Sequence, residues 1–128
     1  MEERGKPNFV FPFEKLEVWQ LAVDLADFVL DLLESVPPNK YVRVIRQAEA
    51  AVTSIAQNIA EGKGRQYKKE FIQFLYISEG SLFELLTLVE VLNRRGLIVD
   101  DSVVKIREKA ESLDRKLHGL IHSLKKRG

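Results

Sequence analysis

Three groups of polar residues have types and spacings that could support chemistry. His118 and His122 stand four residues apart, a spacing at which two imidazoles on one helix can share a metal ion. Gly62-Lys63-Gly64-Arg65 sets glycines among bases, as phosphate-binding loops do. Regularly spaced carboxylates follow one face of the first apolar segment, between positions 17 and 34. Paired carboxylates are the ligands of di-iron sites in helical bundles.

Each pattern lacks a part that its chemistry requires. No glutamate lies between the two histidines, no third ligand is near them in sequence, and we interpret them as partly exposed helix residues. The glycine loop lacks the Lys-Ser/Thr ending of a phosphate-binding loop. The carboxylates share one face instead of converging from facing helices. We therefore predict no catalytic residue, no metal site, no cofactor and no enzymatic activity.

A fourth group of polar residues predicts a structural joint. Ser54 and Asn58 recur at helical spacing beside the apolar positions Ile55 and Ile59. Gly80-Ser81 lies inside another helix, where glycine costs about 1 kcal/mol against alanine, and a close helix contact would explain it. The alternative is a small-molecule site at this polar spot. The predicted joint comprises Ser54, Asn58, Glu61, Gly62, Gly64, Gly80 and Ser81.

The elements that must position these residues are four helices. Apolar periodicity predicts helices at about 13–36, 39–61, 66–95 and 101–126, in a single domain 13–127 after a flexible arm 1–12 that Pro7 and Pro12 keep irregular. We expect Gly62 and Gly96 to cap two C-termini and Asp100 or Asp101 to cap an N-terminus. Short connections predict an all-α, up-down-up-down antiparallel four-helix bundle.

The apolar residues exceed what one small core needs. Helix 1 carries two parallel seams, either of which could face the core, and helix 3 is apolar almost all round. Both features predict self-association. The seams of helix 1 are Leu16, Trp19, Val23, Ala26, Leu30, Leu33 and Val18, Ala22, Leu25, Val29, Leu32, Val36; that of helix 4 is Val103, Ile106, Ala110, Leu113, Leu117, Leu120, Leu124.

The totals narrow the class of protein. The chain has 128 residues, a net charge of +1 and no cysteine, which excludes disulfides and thiolate metal sites. No signal peptide or membrane span is visible, so we expect a cytoplasmic protein without membrane contact. Segment 13–36 has a net charge of −5, with six acids and one base. Distribution of charge is therefore more informative than its sum.

Several motifs resemble those of a bacterial family, the four-helix bundle proteins encoded in intervening sequences of large-subunit ribosomal RNA genes. The resemblance extends from about Phe13 to Leu124. Its most specific part is Asn58-Ile-Ala-Glu-Gly-Lys-Gly-Arg65. The other matching residues are Phe13, Leu16, Val18, Trp19, Ala22, Gln47, Ala51, Ser54, Ile55, Phe71, Phe74, Leu75, Gly80, Ser81 and Glu84.

That resemblance carries expectations about assembly and partners. The family is similar in fold to the accessory variability proteins of diversity-generating retroelements, which form ring-shaped homopentamers and bind a reverse transcriptase and nucleic acid. The resemblance thus implies a homopentamer, with RNA, DNA or a reverse transcriptase as possible partners. It implies no established biochemical activity. Glu49 and Ala50 replace a basic pair usual in the family, and Ala56 stands where proline is frequent.

Basic residues are the candidates for nucleic-acid binding. Five copies around a ring would turn each modest group into a basic band, and phosphate binding grows with the number of contacts. No interleaving of aromatic and basic residues of the kind that stacks bases is evident, so we expect any binding to be directed at the backbone and tolerant of sequence. The alternative is a bundle that only recruits protein, since charge runs are usually solvated faces, Arg65 can pair with Glu61, and terminal bases complement the helix dipole. The candidates are Arg43, Arg46, Lys63, Arg65, Lys68, Lys69, Arg115, Lys116, Lys125, Lys126 and Arg127.

Overall fold

The computed structural model describes residues 8–127, and every regular element in that part of the chain is helical. Residues 1–7, most of the predicted arm, lie outside the described residues. A short 3-10 helix, Pro12–Lys15, comes first. The four α-helices are α1, Glu17–Leu33; α2, Val42–Lys63; α3, Lys68–Arg94; and α4, Asp100–Lys126.

Each helix packs against its neighbours in sequence, and α1 also packs against α4. Side-chain contacts show that neighbours run antiparallel. Lys116 of α4 pairs with Glu17 at the start of α1. Lys125 at the end of α4 contacts Tyr76 in the first half of α3. The predicted up-down-up-down bundle is confirmed, whereas its assembly into a ring stays a prediction. No helix among residues 8–127 has the length and apolarity to cross a membrane.

The second apolar seam of α1 faces the core. Val23 of the first seam is 37% exposed, but Ala26 and Leu33 of that seam are also buried. Trp19 meets the ring of Phe13 edge-on, at 5.3 Å between ring centroids. Most of both seams is therefore buried within one protomer. The apolar surface that α1 leaves for self-association is smaller than expected. Buried α1 positions are Val18, Ala22, Leu25, Ala26, Val29 and Leu33.

In α4 the predicted core seam is correct except near its C-terminus. Ile121, and not Leu120, is buried there. A strict heptad drifts by about 20° per repeat against a straight 3.6-residue helix, and after two repeats the inward position moves one residue along. Leu120 remains partly buried at the edge of the core.

Two predicted helix starts are wrong. Pro12 begins the 3-10 helix instead of breaking it, and α1 starts only after the extended residue Leu16. The second helix starts at Val42 and not at Asn39, because Tyr41 takes a left-handed conformation with φ of 55°. The Tyr41 hydroxyl accepts a hydrogen bond of 2.7 Å from Nε of Arg95, which ties this junction to the end of α3.

Of the two helix caps predicted at the α3–α4 junction, the glycine cap is confirmed and the aspartate cap is wrong. Gly96 has φ of +77° and follows α3, as predicted for a C-terminal glycine. Neither Asp100 nor Asp101 is the N-cap of α4, a place held by Val99 without a side-chain cap. Asp100 instead accepts a 2.8 Å hydrogen bond from the Asn93 side chain, which also donates to the carbonyl of Ile98.

Candidate functional site

The polar residues of α2 and α3 meet along one seam between these helices. The hydroxyls of Ser54 and Ser81 lie 2.9 Å apart, which is the predicted contact. The side-chain amide of Asn58 donates to the carbonyl and hydroxyl of Ser54, within α2. Ser78, which was not predicted from the sequence, is fully buried and donates to the carbonyl of Ile55 at 2.9 Å. This seam satisfies its hydroxyls internally and so serves as a joint.

The remaining predicted members of the joint have other roles. Gly62 does not cap α2 but is buried in its last turn, where an added Cβ would lie 2.5 Å from Cβ of Phe74. Gly64 is the C-cap residue of α2. Glu61 is exposed and pairs with Arg65 at 2.9 Å, as the alternative interpretation expected.

Gly80 is not at a helix contact. It is exposed, and an added Cβ would meet no other described residue within 4 Å. It lies opposite the buried residues of α3, in the middle of a surface that we call the outer face of α3. Gln73, Tyr76, Ile77, Gly80, Phe83, Glu84, Thr87 and Val91 form this face, and all are exposed.

The fold divides the candidate basic residues between the two ends of the bundle. Arg43 and Arg46, near the start of α2, lie at one end, together with Arg94 and Arg95 of α3. We call the other end the basic end. It unites the close of α2, the start of α3 and the close of α4, and it includes Lys63, Arg65, Lys68, Lys69, Lys125, Lys126 and Arg127.

Several of these bases already have partners. Lys116 pairs with Glu17 at 2.6 Å and Arg115 with Glu111 at 3.4 Å. Lys125 donates to the Tyr76 hydroxyl, and the Lys63 ammonium lies over the Phe71 ring. Among residues 8–127, the bases at the basic end without an ion pair or aromatic contact are Lys68, Lys69, Lys126 and Arg127.

The basic end also carries an aromatic residue that was not predicted from the sequence. Tyr67 immediately precedes α3, between Arg65 and Lys68, and 62% of its surface is exposed. The order Arg-Gln-Tyr-Lys-Lys sets one aromatic residue among bases, so the expected absence of such interleaving does not hold here. Interleaved aromatic and basic residues are typical of surfaces that stack nucleotide bases. Glu49 and Ala50, at the positions of the family's basic pair, are exposed on α2 close to Arg46.

His118 does have ligand-type neighbours, although His122 is not among them. The Nε2 atom of His118 contacts Oε2 of Glu79 on α3 and lies 3.8 Å from Oδ1 of Asp114, one turn earlier on α4. Glu79 is largely buried, and that burial is the main cause of a raised pKa for its carboxyl. The neighbouring Asp114 carboxyl raises this pKa further, while His118 opposes the shift.

Comparison with known proteins supports the fold and the family resemblance. The family model of the 23S rRNA-intervening sequence protein matches residues 14–119. The fold is similar to that of a Bacteroides thetaiotaomicron protein of unknown function, from the S23 ribosomal protein family, with a TM-score of 0.74 and 23% identity. That match covers 81% of this chain and 97% of the other. No curated protein matches the sequence.

Proposed function

Because the chain belongs to the 23S rRNA-intervening sequence protein family, we propose that it is a non-enzymatic, oligomeric accessory protein of the cytoplasm. In this proposal it binds the sugar-phosphate backbone of RNA or DNA through its basic end, alone or together with a nucleic-acid enzyme such as a reverse transcriptase. The observation that carries the proposal is the gathering of basic residues from three helix termini at one end of the bundle.

The charges at the basic end favour an anionic partner. Lys68 and Lys69 begin α3, where the helix dipole adds positive potential. Lys126 and Arg127 extend from the close of α4 at the same end. Each ammonium or guanidinium that neutralises a phosphate releases a counterion, so that binding weakens with added salt.

The exposed ring of Tyr67 favours single-stranded nucleic acid over duplex. Aromatic stacking on an unpaired base contributes about 1–3 kcal/mol per base, whereas bases inside a duplex are not open to such stacking. The ring lies directly between basic residues, so a strand that follows the lysines passes beside it.

Charge reversal tests the proposal. Labelled single-stranded RNA and the matching duplex are titrated with wild type, Lys68→Glu/Lys69→Glu, and Arg43→Glu/Arg46→Glu as the matched control at the opposite end. We expect the first variant to bind at least about tenfold more weakly, with a salt slope shallower by about one for each phosphate that it no longer neutralises. Weaker binding only in the control variant would place the interface at the opposite end. No wild-type binding at low salt, with the oligomer intact, would refute nucleic-acid binding.

The oligomeric part of the proposal rests on the outer face of α3. Gly80 lowers helix stability by about 1 kcal/mol against alanine, and no atom of residues 8–127 lies within 4 Å of a Cβ added there. The nearby apolar side chains of Ile77 and Phe83 are 46% and 50% exposed. A helix of a second copy would cover these side chains and approach closely at the glycine. The family resemblance supplies the number five.

Light scattering after size-exclusion chromatography tests the oligomer. We expect a pentamer for wild type and smaller species for Phe83→Glu, which places a charge on the outer face. Val23→Glu on α1 is the control, because Val23 is also exposed, at 37%, and α1 does not pack against α3 in the described part of the chain. A wild-type monomer at micromolar concentration would contradict the proposal, as would equal effects of the two variants.

The alternative function is a bundle that recruits protein and no nucleic acid. The observation favouring it is the acidic face of α1, where Asp24, Asp27 and Asp31 are all exposed. A basic protein partner is the chemistry that this face would recognise. Under this alternative, Asp24→Lys/Asp31→Lys abolishes capture of partner by nuclease-treated protein, whereas Lys68→Glu/Lys69→Glu leaves capture unchanged.

A further inference from the structure

The seam between α3 and α4 contains three side chains with metal-ligating atoms close together. Glu79 comes from α3, and Asp114 and His118 come from successive turns of α4. One ligand atom from each lies within 4.8 Å of the other two. Two helices are therefore needed to build the cluster, which is why the sequence alone did not reveal it.

Two carboxylate oxygens of the cluster are buried without a hydrogen bond to any described residue. Oε2 of Glu79 and Oδ1 of Asp114 are both inaccessible to solvent and have no hydrogen-bond partner among residues 8–127. Nε2 of His118 is the nitrogen atom that faces both oxygens. A buried carboxylate oxygen without a partner costs about 1–3 kcal/mol or more, and a cation would remove that cost.

The donor set and geometry suit a first-row transition-metal ion. One imidazole nitrogen and two carboxylate oxygens are ligands that Zn²⁺ accepts at about 2.0–2.2 Å, in sites that keep a fourth position for water. Tetrahedral coordination at these lengths separates ligand atoms by about 3.4 Å. The distance of 3.8 Å between His118 and Asp114 is near this value, and the exposed imidazole can move away from Glu79.

We propose that Glu79, Asp114 and His118 form a binding site for a divalent transition-metal ion that joins α3 to α4. His118 is 57% exposed at its side chain, so the site opens to solvent on the imidazole side and can retain water on the metal. The ion would stabilise the α3–α4 contact. The site is independent of the basic end, and the proposal does not depend on nucleic-acid binding.

Calorimetric titration of the full, untagged chain with Zn²⁺ tests the proposal, and visible absorption of bound Co²⁺ reports the coordination geometry. We expect one ion per chain and a rise in melting temperature on zinc addition. Glu79→Gln, Asp114→Asn and His118→Gln should each weaken zinc binding by about tenfold or more, since even groups behind the ligands act on a scale of 10–100-fold.

His122→Gln is the matched control. His122 is exposed, lies one turn after His118 on the same helix, and contributes no atom to the cluster. We expect this variant to bind zinc like wild type. Circular dichroism of each variant separates loss of a ligand from loss of fold. The proposal is overturned if wild type takes up no zinc, or if Glu79→Gln and His118→Gln bind zinc like wild type.

Discussion

The polar side chains on the two sides of α3 differ in whether they have hydrogen-bond partners. Toward α2, the hydroxyls of Ser78 and Ser81 find partners across the seam at 2.9 Å. Toward α4, buried oxygens of Glu79 and Asp114 have no hydrogen-bond partner among residues 8–127. A satisfied polar seam specifies a helix contact, whereas an unsatisfied one retains binding capacity. The same helix thus combines a closed joint with a candidate ligand site.

Their difference follows from side-chain size and charge. A serine hydroxyl can rotate to donate to a backbone carbonyl of the next helix, and it costs little space. Two carboxylates can only accept when ionised, so neither can satisfy the other without a shared proton or a cation. The α2–α3 seam is also the more closely packed of the two.

The largest expected effect comes from adding one methyl group to the closed joint. In Gly62→Ala the new Cβ would lie 2.5 Å from Cβ of Phe74, so the two helices must separate. We expect a loss of about 1–3 kcal/mol in the free energy of unfolding, as for other overpacked cores. Gly119→Ala is the control, because a Cβ added at that position meets nothing within 4 Å in the part of the chain that the structure describes. That variant should gain up to about 1 kcal/mol from helix propensity. Urea denaturation measures both, and equal signs would contradict close packing at Gly62.

A smaller effect is expected when the joint loses a hydrogen bond. Ser78→Ala removes the buried hydroxyl that donates to the Ile55 carbonyl, and we expect a loss of about 1 kcal/mol. Ser112→Ala, on partly exposed α4 surface, should change stability by less than about 0.5 kcal/mol. Thermal unfolding of the two variants gives the comparison. A neutral Ser78→Ala would mean that this bond does not stabilise the seam.

The smallest expected effect is on the pH dependence of folding stability, through Glu79 on the side of α3 that faces α4. The raised pKa of Glu79 means that the folded chain binds its proton more tightly than the unfolded chain does. Stability therefore falls as pH rises from the ordinary carboxyl pKa through the raised value. Glu79→Gln cannot ionise, so we expect its advantage over wild type to grow across this window.

Unfolding in urea with a chelator present, from acidic to neutral pH, measures this difference. Glu111→Gln is the control, since Glu111 is an exposed carboxylate on the same helix as Asp114. Parallel stability profiles for wild type and Glu79→Gln would show that burial of the Glu79 carboxyl has no cost.

Helical periodicity was enough to predict the bundle, because a buried stripe repeats every 3.6 residues whatever the details of packing. It could not choose between the seams of α1, since both are apolar and lie side by side. The burial of Ser78 could have been predicted from the same helical spacing, because the series 71, 75, 78, 82 places it in the core register of α3. Because serine is polar, it does not contribute to an apolar periodicity.

The candidate sites depend on contacts between segments distant in sequence. Asp114 and His118 stand one turn apart and could have been paired from sequence, but Glu79 joins them only through the packing of α3 on α4. Likewise, Lys68 and Lys126 meet at one end because the helices alternate in direction. The prediction of a close helix contact at Gly80 is wrong for a related reason. A glycine within a helix indicates that space is needed, but the sequence does not show whether that space faces the core or the outer surface.

The connectivity of the bundle also bears on how quickly the chain can fold. Three of the four helix pairings join segments adjacent in sequence, and only the pairing of α1 with α4 closes a long loop. Chains dominated by such local contacts fold in about microseconds to milliseconds. The α2–α3 hairpin, with its short turn and dense packing, is placed to form early. The remaining helices can then pack against the apolar faces that this hairpin presents.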